Sequence, residues 1–148
     1  RHVGSQLETV IRSVHRPILV VPDQYVQPRS AMLAFDGSET GFRSIELLSA
    51  TPVFRGIPLH VVLVGADTAE HQEQLKRAER LLSAQGPDIH TVIRQGDVEQ
   101  TLHGYQEEHD IDILIMGAYG HSSIRRFLVG STTTRMLETA KKPLVILR

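Results

Sequence analysis

Short apolar segments alternate with amphipathic segments along most of the chain, and this alternation predicts strands connected by helices. The apolar segments lie at residues 31–35, 59–64, 89–93, 112–116 and 144–147. Between them, apolar residues recur at helical spacing behind capping residues such as Ser38 and Asp97. Because several strand segments are apolar on both faces, the pattern predicts an α/β fold, in which helices cover both faces of an open parallel sheet.

The segment after the fourth predicted strand carries the most specific motif of the chain. Gly117 and Gly120 are followed by nine residues and then by Gly130 and Ser131, where a helical pattern begins. Glycines let the backbone approach a ligand closely, and a helix start offers unpaired N–H groups with a partial positive charge. This arrangement is typical of a phosphate site. Glycines alone would also suit a tight turn, so the interpretation as a phosphate site depends on the spacing between these glycines.

The spacing G-x2-G-x9-G-S resembles the nucleotide-binding signature of the universal stress protein family, in its ATP-binding branch. Residues 33–39 are similar to that family's first strand and its acidic end, and residues 142–147 are similar to its last strand. The resemblance runs from about Arg29 to Arg148. It implies a five-stranded parallel sheet of the adenine nucleotide alpha hydrolase-like class, with strand order 3-2-1-4-5, and ATP as the ligand.

Two motifs should meet at the carboxyl edge of the predicted sheet. Ligands of open α/β sheets bind beyond the carboxyl ends of the strands, where strand order reverses. With the implied order, that point lies between the first strand, which precedes Asp36, and the fourth, which precedes Gly117. By the resemblance, Asp36 would accept hydrogen bonds from adenine or ribose; a turn-capping aspartate is the alternative. The base pocket would be lined by Ala34, Val64 and Met116, which ordinary core packing would explain equally well.

The resemblance also assigns the phosphate half of the site. Gly117, Gly120 and Gly130 would wrap the ribose and phosphates, while Ser131 and Thr132 would offer hydroxyl and N–H groups. The nine-residue insert contains three side chains that would either meet phosphate charge or stay solvated, namely His121, Arg125 and Arg126. Residues 117–131 include no carboxylate, so Mg²⁺ is expected to bind only through the nucleotide phosphates and water.

Composition removes several classes of function. There are 16 Lys and Arg against 17 Asp and Glu, which argues against a nucleic-acid partner or a polybasic membrane surface. The chain has no cysteine for disulfides or thiol catalysis, and no lysine loop of the P-loop type. Its histidines lack metal-binding spacing, so no metal site with protein ligands is predicted. No apolar run approaches the roughly 20 residues that span a bilayer, and a soluble cytoplasmic protein is expected.

The chain also resembles itself at an offset of 126 residues. Residues 3–5 match 129–131, and residues 17–21 match 143–147. We interpret residues 1–22 as the C-terminal remnant of a preceding domain of the same kind, 23–30 as a linker, and 31–148 as a complete domain; a coincidental helix and strand is the alternative. A lone apolar strand is costly to leave unpaired. Residues 18–21 are therefore predicted to pair antiparallel with 144–147, within one chain or between two, as in the family's dimers and tandem pairs.

Three readings of function are consistent with these residues. The first is an ATP-binding regulatory or stress-response module, for which no catalytic residue is assigned and slow hydrolysis or self-phosphorylation stays open. The second is a nucleotide-dependent enzyme such as an adenylyl transferase, which would usually bring a basic or histidine motif to the first strand-to-helix turn; residues 36–39 have none. The third is an interaction module whose pocket is empty, which the intact glycine spacing disfavours.

Overall fold

The protein was analysed as a computed structural model, which describes residues 18–21, 27–117 and 142–147. Six strands are present in this part of the chain: β1 (Ile18–Val20), β2 (Ala31–Phe35), β3 (Leu59–Val64), β4 (Ile89–Arg94), β5 (Ile113–Gly117) and β6 (Leu144–Leu147). Within the same residues, three α-helices connect β2 to β3, β3 to β4 and β4 to β5: α1 (Glu39–Ser49), α2 (Ala69–Leu81) and α3 (Val98–Glu108). Short 3-10 turns follow α1 and α2, at Pro52–Phe54 and Ser83–Gln85.

The strands form one mixed sheet in the order β1-β6-β5-β2-β3-β4. Strands β2 to β6 run parallel, and β1 runs antiparallel to β6. The prediction of five strands in a wholly parallel sheet is therefore wrong, because a sixth strand of opposite direction completes one edge. Strand β2 lies between β3 and β5, so the reversal of strand order falls between the first and fourth of the predicted strands, as expected.

The added strand confirms the predicted antiparallel pairing. Ile18 lies opposite Ile146 and Val20 lies opposite Leu144, and both strands belong to the same chain. Pairing satisfies N–H and C=O groups that β1 and the edge of β6 would otherwise leave unpaired. Residues 1–17 and 22–26 lie outside the described residues. The assignment of 1–22 to a preceding domain and of 23–30 to a linker therefore stays a prediction.

Helices cover both faces of the sheet, as the apolar strands require. Helices α1 and α2 pack on one face, against alternate residues of β2 such as Leu33 and Phe35. Helix α3 packs on the other face, where Leu102 and Tyr105 meet Met32 and Val62. Alternation along β2 places successive residues in different cores. Among the described helices, none is long and apolar enough to cross a membrane.

Local capping sets where the helices begin. Ser38 Oγ accepts a hydrogen bond from Gly41 N at 3.0 Å, and the Asp97 carboxylate accepts one from Gln100 N at 3.1 Å. Both residues are the caps that the sequence predicts. Two strands differ from the prediction by one residue at a boundary: β4 extends to Arg94, and β5 begins at Ile113 and includes Gly117, which pairs with Leu147. The first glycine of the motif thus ends a strand rather than opening a loop.

Candidate functional site

Strand register brings the predicted base-pocket residues to one place. Leu33 on β2 lies opposite Ile115 on β5, so Ala34 and Met116 each come one residue later on adjacent strands. Val64 ends β3, on the other side of β2. All three side chains belong to the face that α3 covers; Met116 is buried, while Ala34 and Val64 are partly exposed. They form a small apolar floor at the carboxyl ends of β2, β3 and β5.

Asp36 stands beside this floor and organises the turn from β2 to α1. Its Oδ1 accepts hydrogen bonds from Ser38 N at 2.9 Å and from Ser38 Oγ at 2.5 Å. Ser38 in turn caps α1 through Gly41 N. The turn-capping alternative for Asp36 is therefore confirmed. The residue is nevertheless exposed at the carboxyl edge of the sheet, so a role toward a ligand is compatible with its role in the turn.

Gly37 gives this turn its shape. Its φ is +79°, which disfavours any residue with a side chain. A Cβ atom there would lie 2.1 Å from Oε1 of Gln74, which reaches over from α2. Gly37 thus lets α2 approach the turn closely. Sequence reasoning did not find Gln74, because its only local signal is a polar residue on an amphipathic helix.

Gly41 keeps space open behind the Asp36 carboxylate. A Cβ at Gly41 would lie 2.8 Å from Asp36 Oδ1 and 3.1 Å from the Phe35 ring. The Phe35 ring meets the Phe42 ring edge to face, with centroids 5.0 Å apart, and Arg77 lies 4.0 Å over Phe42. This packing holds the first turn of α1 against the end of β2. Sequence reasoning also missed Gly41, although a glycine in the first turn of a helix is a recognisable signal of close approach.

The phosphate half of the predicted site is only partly described. Gly117 ends β5 beside the apolar floor, paired with Leu147 of β6. The other residues assigned to phosphate contact lie outside the described residues: Gly120, His121, Arg125, Arg126, Gly130, Ser131 and Thr132. Their roles remain predictions. Within residues 18–21, 27–117 and 142–147, no group of three or more histidine, cysteine or acidic side chains is placed to hold a metal ion.

Comparisons with known proteins match this sequence to one protein family. The sequence profile of the universal stress protein family matches residues 43–148. Universal stress protein Slr1230 from Synechocystis is 34% identical over 149 residues, covering 99% of this chain and 52% of that protein. In each curated relative that this chain matches, the matched segment makes up about half of the relative's length.

Solved structures with the same fold include two complexes with a nucleotide. A universal stress protein in complex with cAMP superposes with a TM-score of 0.63 at 20% identity, covering 83% of this chain and 98% of that one. The universal stress protein from Archaeoglobus fulgidus in complex with dAMP gives a TM-score of 0.58 at 18% identity, covering 83% and 100%. At these identities the likeness shows the fold. The family profile matches most of the length of this chain, and together with the shared fold this match shows that the chain belongs to the universal stress protein family.

Proposed function

We propose that this domain binds an adenine nucleotide at the carboxyl ends of β2, β3 and β5, with ATP as the ligand. The observation that carries the proposal is the meeting of Asp36, the apolar floor and Gly117 at the reversal of strand order. Two structures of the same fold are described as complexes with cAMP and dAMP, which supports an adenine nucleotide over other ligand classes.

In this proposal the base lies on the floor formed by Ala34, Val64 and Met116. The floor has the apolar, partly buried character that suits an aromatic ring, and Asp36 stands at its rim as a hydrogen-bond acceptor. The ribose passes Gly117. The phosphates then follow the glycine segment, where the proposed contacts are Gly120, His121, Arg125, Arg126, Gly130, Ser131 and Thr132.

Mg²⁺ would bind through the nucleotide phosphates and water. Magnesium keeps several waters and commonly takes one or two carboxylates along with substrate phosphates. Residues 117–131 offer it no carboxylate. We therefore expect metal binding to depend on the nucleotide, and nucleotide-free protein to bind Mg²⁺ no more tightly than a surface carboxylate does.

The domain would act as a nucleotide-dependent regulatory module rather than as a dedicated enzyme. The floor consists of three apolar side chains, which suit a base, and Asp36 stands at its rim as a hydrogen-bond acceptor. A cytoplasmic location belongs to the same proposal, and a second copy would pair with β6 only by exchange of the β1 strands between two chains. Turnover slower than roughly 1 s⁻¹, the low end of ordinary enzyme rates, would agree with it.

The first test is a calorimetric titration of ATP into wild type and into Ala34→Leu. The larger side chain would occupy the floor, so we expect affinity to fall at least about tenfold. Ala66→Leu is the matched control, because Ala66 is exposed beyond the end of β3. Equal affinity for Ala34→Leu and wild type would contradict the placement of the base.

The second test addresses the phosphate half. Gly130→Val places a β-branched side chain where the backbone is proposed to meet phosphate, so ATP binding should be lost. Gly104→Val is the control, since a Cβ at Gly104 meets nothing within 4 Å on helix α3. Mass spectrometry of the denatured, freshly purified protein would identify any nucleotide carried through purification. If ATP, ADP and AMP all failed to bind wild type, the result would favour the third reading, an interaction module whose pocket is empty.

A further inference from the structure

Three histidines meet at the amino end of the sheet, on the face that α3 covers. His60 on β3 lies opposite His90 on β4, and their rings stack with centroids 4.8 Å apart. His109 caps the carboxyl end of α3, and its ring lies 5.5 Å from that of His60. The cluster therefore joins two strands to one helix. It lies at the opposite end of the strands from the proposed nucleotide site.

Tyr105 ties the histidines to the core. Its side chain is 5% exposed and belongs to the core beneath α3. Its ring stacks on His109 with centroids 4.0 Å apart, and its hydroxyl lies 2.6 Å from His60 Nδ1. The ring is buried, and the hydroxyl of a buried tyrosine usually has a hydrogen-bond partner. Neutral His60 provides one in the tautomer whose Nδ1 is unprotonated, because that nitrogen accepts the hydrogen bond that the hydroxyl donates.

Titratable or charged side chains approach His60 from the β4 side and from α3. From the β4 side come His90, whose Nε2 contacts the Asp88 carboxylate, and Arg94, which lies 5.4 Å over the Tyr105 ring. From α3 come His109, Tyr105 and Glu108. On β2, the residue opposite is the uncharged Met32.

These surroundings oppose a proton on His60. Burial lowers the pKa of His60 below its ordinary value of 6.5, and positive charge on His90 and His109 lowers it further; Asp88 offsets part of this effect. Burial also raises the pKa of Tyr105, so its hydroxyl stays protonated and continues to need an acceptor.

We propose that His60, His90 and His109 form a proton-sensitive contact that loosens helix α3 from the β3–β4 side of the sheet when it takes up protons. A proton on His60 Nδ1 turns that nitrogen into a donor, so the Tyr105 hydroxyl can no longer donate its hydrogen there. It also places positive charge beside two further imidazole rings, those of His90 and His109. Both effects act on the carboxyl-terminal turn of α3, where Tyr105 and His109 are attached.

The direction in which pH changes the stability follows from proton linkage. The folded state binds fewer protons at His60 than the unfolded state does, since the pKa is lowered on folding. Stability from this contact is thus present above the unfolded value of about 6.5 and is lost as pH falls from there toward the lower folded value. Acid should open α3 before it opens α1 or α2.

Hydrogen–deuterium exchange of the nucleotide-free chain at about pH 7.5 and about pH 5.5 tests this. EDTA is present so that protons are the only cations offered to the imidazoles. After correction for intrinsic exchange, protection of α3 should fall several-fold relative to α1 and α2. Equal changes in the three helices would overturn the proposal. Because no nucleotide is used, the result is independent of the proposed function.

Two variants test whether the loss of α3 protection at low pH comes from the histidine cluster. His60→Asn keeps an oxygen acceptor near Tyr105 but cannot take up a proton, so most of the pH-dependent loss of α3 protection should disappear. His71→Gln is the matched control, because His71 lies in α2 and bonds Ala66 O. An undiminished loss in His60→Asn would contradict the proposal. Should that variant fold poorly, NMR titration of the wild-type ring decides: His60 titrating at or above 6.5 would overturn the proposal.

Discussion

The two ends of one sheet face are built in contrasting ways. At the carboxyl ends of the strands, Ala34, Val64 and Met116 leave a small apolar floor with Asp36 at its rim. At the amino ends, the rings of His60 and Tyr105 pack against two further histidines and fill the corresponding surface. The first end offers room to a guest, whereas the second is occupied by the protein's own aromatic side chains.

The difference follows from how each end is closed. The carboxyl end is shaped by strand termini and by a turn that needs Gly37, so backbone geometry dominates. The amino end is shaped by side chains from β3, β4 and α3 that contact each other across the face. A change at the carboxyl end should therefore alter ligand binding, and a change at the amino end should alter the response to protons. The core between them supports both.

The largest effect is expected in that shared core. Leu102 is fully buried on α3, so Leu102→Ala should lower the free energy of unfolding by about 2–5 kcal/mol. Leu81→Ala is the matched control, because Leu81 ends α2 and is 38% exposed. Urea denaturation of both variants measures the difference. Equal losses would show that α3 does not form the core that both ends depend on.

The next effect concerns the carboxyl end alone. Gly37→Ala forces a side chain to positive φ, which costs of order 1–3 kcal/mol, and the added Cβ also displaces the flexible end of the Gln74 side chain. Gly56→Ala has the same type of strain at φ +87° with nothing within 4 Å. Urea denaturation should show a greater loss for Gly37→Ala. ATP affinity should fall only in Gly37→Ala. Unchanged affinity in this variant would show that the shape of the turn does not affect ATP binding.

Removal of a cap comes third. Ser38→Ala and Thr68→Ala each delete an N-cap oxygen, which costs about 0.5–2 kcal/mol. The stability losses should be similar, but only Ser38 also holds Asp36. ATP titration should therefore distinguish them, with weaker binding in Ser38→Ala. Equal affinities in the two variants would indicate that the orientation of Asp36 does not matter for binding.

The smallest effect is the pH dependence that the amino end adds to overall stability. The pKa of His60 is lowered mainly by burial, so its contribution to stability is lost as pH falls below about 6.5. His60 is partly exposed, which keeps the loss below that of a missing cap. The urea midpoint of wild type should drop more than that of His60→Asn between about pH 7.5 and about pH 5.5. Parallel drops would assign the pH dependence to other groups.

Much of the carboxyl end could be predicted because its signals are local. A strand followed by Asp36, and another ended by Gly117, are each readable within a few residues. Their meeting follows once the strands are placed on either side of the reversal. The phosphate contacts from Gly120 to Thr132 were predicted from spacing and family resemblance, and they lie outside the described residues. The close approach of Gln74 to Gly37 could not be predicted, since it depends on how α2 packs against the turn.

The sequence by itself determined the strand segments, the caps of α1 and α3, and the antiparallel pairing of β1 with β6 that its internal repeat suggested. These features depend on residue type and on short spacings, for which local conformational preference and binary pattern are sufficient. Only the tertiary structure shows that β1 pairs with β6 of its own chain, and that His60, His90 and His109 meet. Those histidines are far apart in the chain and show no spacing of their own. Strand register and the packing of α3 create their contact, and both arise from burying the whole face at once.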